Sequence, residues 1–94
     1  IRAEQNRPAL GMEIVAGYPV PSGYSKRKTV SALAGDLLPA KKPDADNVAK
    51  IIADALNGLA YDDDAQITDL TVMKRYGQEP EVRVKVWPIF TEMK

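Results

Sequence analysis

Apolar and polar side chains alternate most cleanly near the C-terminal end of the 94-residue chain, where Val82, Val84 and Val86 interleave with Arg83, Lys85 and Trp87. A period of two is the pattern of a strand with one face turned to a core, so residues 81–87 read as a strand ended by Pro88. Residues 66–74 alternate as well, with Ile67, Asp69, Thr71 and Met73 on one face and Thr68, Leu70, Val72 and Lys74 on the other. The short turn over residues 76–80 predicts that these two strands form an antiparallel hairpin. Met12 to Ala16 is a further short strand, bounded by Gly17. The period changes in the middle of the chain. Val48, Ile51, Ile52, Ala55 and Leu56 recur at helical spacing, with Asp46 or Asn47 as the cap and Asn57-Gly58 as the stop. A basic helix is expected over residues 26–34, and the tail of a polar helix over residues 1–10. The chain therefore reads as α+β, a mostly antiparallel or mixed sheet with helices packed on it.

Composition narrows the chemistry more than the fold. With 45% hydrophobic and 28% charged residues, the chain has the balance of one ordinary globular domain and not of a disordered segment. It has neither cysteine nor histidine. That excludes a disulfide framework, a zinc ribbon, a cysteine nucleophile, a histidine base and a Ser-His triad. Any catalysis must use carboxylates, lysines, hydroxyls or bound ions. No apolar run approaches the roughly 18 residues of a membrane span, so no membrane partner is expected. Residues 1–5 do not resemble a signal peptide, and the expected location is cytoplasmic. The chain lacks an initiator Met, so its length is a lower bound.

The charge is balanced overall but segregated along the chain. Residues 1–43 carry seven basic and three acidic side chains, whereas residues 44–69 carry seven aspartates and Lys50 alone. Basic clusters at Lys26-Arg27-Lys28 and Lys41-Lys42 precede this acidic block. Asp44 and Asp46 flank a helix start, where one carboxylate suffices for capping and two repel each other unless a cation is shared. Asp62-Asp63-Asp64 forms a second acidic cluster before a strand. If helix start and strand start meet, these acids enclose an all-oxygen site of the kind that suits Mg²⁺ or Mn²⁺. A calcium loop fails on spacing, because the glycine at its sixth position and the glutamate at its twelfth are missing. No Walker loop and no GxGxxG is present, so no nucleotide cofactor is expected. Lys50, one turn beyond Asp46, suits the neutralising of a phosphate oxygen.

The string Lys42-Pro43-Asp44-Ala45-Asp46-Asn47-Val48-Ala49-Lys50, the helix end Asp54-Ala55-Leu56-Asn57-Gly58, and Asp62-Asp63-Asp64-Ala65-Gln66-Ile67 occur in that order. Together they resemble the core signature of the RusA family of Holliday junction resolvases, found in bacteria and their prophages. Tyr18-Pro19-Val20-Pro21, Ser25-Lys26-Arg27-Lys28 and Lys74-Arg75-Tyr76 extend the likeness over residues 12–87. The resemblance implies a single RusA-like nuclease domain over residues 1–94, without the basic strand segment with which family members usually begin. It places the metal-binding acids on Asp44, Asp46 and Asp64, with Asp63 as a neighbouring ligand or support, and the essential lysine on Lys50. It also implies a Mg²⁺-dependent homodimer that makes paired nicks in a four-way DNA junction. Lys26, Arg27, Lys28, Lys41 and Lys42 are the expected DNA contacts. Other branched DNA as substrate, and junction binding without cutting, are the neighbouring readings.

Overall fold

The computed structural model describes residues 7–90. Strand β1 (Ala9–Pro19) is the element on which the others are assembled. Its even-numbered side chains Leu10, Met12, Ile14 and Ala16 are buried, Met12 and Ile14 completely. Strand β2 (Ile67–Gly77) pairs with it in parallel and strand β3 (Glu81–Ile89) antiparallel, giving a mixed sheet in the order β2-β1-β3. A parallel neighbour requires a crossover connection, and two helices supply it: α1 (Lys26–Leu33) and α2 (Ala45–Leu56). The fold is α+β.

The central position of β1 corrects the expected hairpin. The strands β2 and β3 are consecutive, but β1 lies between them. A short turn fixes chain reversal and not pairing, and the strand with the most fully buried face takes the centre. Val86, Val84 and Val82 consequently sit opposite Met12, Ile14 and Ala16. The strand expected at residues 12–16 extends to Ala9 and Pro19, so Ala9 and Leu10 are strand and not helix; residues 1–6 of the expected polar helix lie outside the described residues.

The alternation expected for β2 is broken once. Leu10 pairs with Ile67 but Gly11 pairs with Asp69, which leaves Thr68 as the extra residue of a bulge. Ile67 and Val72, assigned to opposite faces by strict alternation, therefore both pack on the core. Helix α2 lays Val48, Ile52 and Leu56 on this core beside Tyr61. Gly58, at φ +82°, lets the chain leave α2 in a left-handed conformation. Its amide then donates to the Tyr61 carbonyl at 2.8 Å. The Tyr61 ring folds back under the helix and its hydroxyl donates to the Ala53 carbonyl at 2.7 Å. On the other face of the sheet Trp87 lies across Gly11, where a Cβ would fall inside the indole. Among the described residues no helix is long and apolar enough to cross a membrane.

Candidate active site

Asp44, and not Asp46 or Asn47, is the N-cap of α2, with an extended backbone. Its carbonyl accepts the Val48 amide at 3.0 Å. An N-cap aspartate ordinarily commits its carboxylate to an amide of the first turn. The Asp44 side chain makes no such bond. Asp46 lies in the first turn, where the positive end of the helix dipole favours an anion. Both carboxylates are exposed, as is Lys50 one turn further along α2. The helix thus opens on two exposed acids, and the Asp44 carboxylate is not spent on capping it.

The approach to Asp44 is held from the sheet. The Tyr18 hydroxyl, at the end of β1, donates to the Pro43 carbonyl at 2.6 Å. Lys74 of β2 donates from Nζ to the Lys41 carbonyl, and its ammonium lies 5.3 Å from the centre of the Tyr18 ring. Lys41 in turn lies 5.8 Å from the Tyr76 ring. Tyr76 meets Tyr24 edge to face at 6.1 Å, and Lys28 sits 4.2 Å over Tyr24. Two of the predicted basic contacts, Lys28 and Lys41, are thereby tied by tyrosines to the end of the sheet that carries Asp44. Lys26, Arg27 and Lys42 are exposed. Burial pushes the Tyr18 hydroxyl up, and the Asp44 charge adds to the shift. Tyr18, Tyr24, Tyr76 and Lys74 were not among the predicted site residues. The available signal was Lys74, a charged side chain sharing a strand face with Val72.

The second acidic cluster is built differently. A single 3-10 turn, Asp64–Gln66, precedes β2. Asp63 caps it, accepting from the Ala65 amide at 3.0 Å, while the Gln66 side chain accepts from the Asp62 and Asp63 amides at 3.0 Å each. Arg7 lies 3.9 Å from Asp62 and 3.8 Å from Asp63. The Ala65 amide holds the Asp63 carboxyl below its ordinary range, aided by a hydrogen bond to Asp64 and by Arg7. Asp64 is pushed up, first by sharing that hydrogen bond with Asp63, then by burial and by the charges of Asp63 and Asp54. Asp63 is committed to the turn; Asp64 is crowded by negative charge.

The two clusters do not meet within one chain. Asp54 and Asp64 both act on the Tyr61 hydroxyl and so lie towards the C-terminal half of α2. Asp44 and Asp46 stand at the N-terminal end, and ten residues of helix span about 15 Å. Among the described residues, no three acidic side chains come together in a way that could hold a metal ion.

These features define a small α+β domain with uncommitted carboxylates beside a lysine- and tyrosine-rich border. The family model described as "Endodeoxyribonuclease RusA" matches residues 2–87, and the chain belongs to that family. It is 41% identical over 92 residues to the Bacillus subtilis (strain 168) protein named "Uncharacterized protein YqaN", a match covering 89% of this chain and 65% of that relative. The chain thus spans slightly less than two thirds of the relative's length. No solved structure matches the chain.

Proposed function

We propose that this chain is the nuclease domain of a divalent-cation-dependent endodeoxyribonuclease that resolves four-way DNA junctions by paired nicks. The observation that carries the reading is the uncommitted Asp44 carboxylate beside Asp46, in a chain of the RusA family. The donors are carboxylate oxygens, which suit Mg²⁺ or Mn²⁺. Asp44 and Asp46 hold the ion from the start of α2, and Asp64 is the third acid, with Asp63 supporting it from the turn. When bound, such an ion polarises a phosphate oxygen and acidifies a water. Lys50 places a positive charge where the non-bridging phosphate oxygens gain charge during attack. Lys26, Arg27, Lys28, Lys41 and Lys42 grip the flanking backbone, which positions DNA without reading its sequence.

The distance between the acid clusters gives the proposed homodimer a specific purpose. Asp64, in the turn beside the C-terminal half of α2, stands too far from Asp44 of its own chain to share an ion, so the acidic turn of a second subunit completes the site. An apolar groove of about 310 Å³, lined by Val48, Ile51 and Val82 among others, supports association. Ile51 is 56% exposed, and Val82, in the edge strand β3, is 51% exposed. A two-fold dimer also matches the approximate symmetry of a four-way junction.

The test is a cleavage assay on a four-way junction, a flap and a duplex, with and without Mg²⁺. Symmetric paired nicks in the junction, only with Mg²⁺, are expected. Cutting confined to flaps reassigns the chain to other branched DNA, and junction binding without cutting makes it a binding module.

A further inference from the structure

We propose that Tyr18 and Lys74 are positioning residues that latch residues 41–43 to the sheet and thereby set the Asp44 carboxylate for its cation. The inference rests on the nuclease reading above. Asp44 is anchored on one side only by its helix, through the Val48 amide at 3.0 Å. Its own side chain makes no capping bond, so nothing within α2 fixes the direction of the carboxylate. On its other side, among the described residues, Lys41, Lys42 and Pro43 take part in no backbone–backbone hydrogen bond. Side chains from the sheet take that role. The Tyr18 hydroxyl holds the carbonyl of the peptide that joins Pro43 to Asp44, at 2.6 Å. Lys74 holds the Lys41 carbonyl two residues earlier.

The two donors also support each other. Ala16 pairs with Lys74 and Tyr18 with Tyr76 in the β1–β2 ladder, so Tyr18 and Lys74 project from adjacent strands on the same face. The Lys74 ammonium lies 5.3 Å from the Tyr18 ring centre. A cation over a ring keeps the lysine aimed at the loop, and the lysine restricts the ring that carries the hydroxyl. An apolar residue at position 74 would fill the space below the loop but would leave the Lys41 carbonyl without its donor. Both donors sit in the hydrogen-bonded β1–β2 ladder, and groups held by regular elements keep metal ligands at their working geometry.

Trypsin reads the latch without reference to catalysis. The peptide bond after Lys41 contains the carbonyl that Lys74 holds, whereas the bond after Lys42 precedes proline and resists the protease. In the full-length protein, Tyr18→Phe removes one oxygen and keeps the ring; Lys74→Met keeps the stem and removes the donor. Each variant is expected to be nicked after Lys41 about tenfold faster than the parent, with nicking at Lys26, Arg27 and Lys28 unchanged. Loss of one hydrogen bond predicts Mn²⁺ affinity, read by electron paramagnetic resonance without DNA, about fivefold weaker. Lys74→Arg restores both. Unchanged nicking at Lys41 overturns the latch. Faster nicking with unchanged Mn²⁺ affinity overturns its role in positioning Asp44. A parent protein that neither binds Mn²⁺ nor cuts junctions overturns the nuclease reading and this role with it, and is recognised before any variant is compared.

Discussion

Asp44 and Asp46 are the proposed cation ligands, and the Asp44 side chain makes no capping bond to the helix it opens. Asp44→Asn and Asp46→Asn are each expected to abolish cleavage and to preserve junction binding, and to leave the metal-free melting temperature unchanged or higher, since each removes like-charge repulsion. Gel shift and thermal melts in a chelator check the pair of outcomes; a large drop in melting temperature would make these acids structural. Lys50→Ala should slow single-turnover cleavage by roughly 100-fold while weakening binding only a few-fold, if Lys50 is, as proposed, one cation of several for affinity and acts on charge that develops at the phosphate. Asp64 gives a pH signature. Its carboxyl is pushed up by Asp63 and by burial. A raised folded value means that the folded chain holds that proton more tightly than the unfolded one, so charged Asp64 is destabilising at neutral pH and ceases to be as pH falls through its folded value. Asp64→Asn should therefore melt at the same or a higher temperature than the parent at neutral pH, and any advantage should vanish in acid. Asp63, held down by the Ala65 amide, contributes in the opposite sense: its share is present above its unfolded value and is lost as pH falls through its folded one.

At the scale of elements, helix α2 was the most legible part of the chain. Val48, Ile51, Ile52, Ala55 and Leu56 were read from their spacing as one apolar face; Val48, Ile52 and Leu56 pack on the core, whereas Ile51 and Ala55 at its margin are exposed. The cap was misplaced by two or three residues, since Asp44, Asp46 and Asn47 are all competent capping types and the backbone alone selects among them. The Thr68 bulge had no sequence signal, so the faces of β2 were legible only beyond it. The pairing of β1 was hidden for a different reason. Alternation reports which face is buried and does not name the neighbour. Tyr18 was legible only as part of the string Tyr18-Pro19-Val20-Pro21, because its partner carbonyl lies 25 residues away. The contact between Gly11 and Trp87 supplies a test of the sheet itself. Gly11→Ala forces the indole off β1 and is expected to cost about 1–3 kcal/mol by chemical denaturation. The chain has a single tryptophan, so its fluorescence reports the displacement directly.

For the whole molecule, the separation of the acid clusters leads to a complementation experiment. If each site takes Asp44 and Asp46 from one subunit and Asp64 from the other, mixing Asp44→Asn and Asp64→Asn chains creates dimers with one intact site and one doubly damaged site. Such mixtures should recover single nicks in junctions, at about half the total protein in mixed dimers, although each variant alone is inactive; no recovery would place the complete site within one chain. The order β2-β1-β3 has a further consequence, for how the molecule comes into being. Met12, in the first of the described strands, takes Leu70 and Val86 as its neighbours. A ribosome releasing this chain therefore exposes its most apolar strand long before either partner exists, and a nascent chain interrupted after β2 retains one unpaired edge of β1. Such non-local closure slows folding and lengthens the life of aggregation-prone species. The strand that lies at the centre of the finished sheet is, during synthesis, the one most in need of protection by a chaperone.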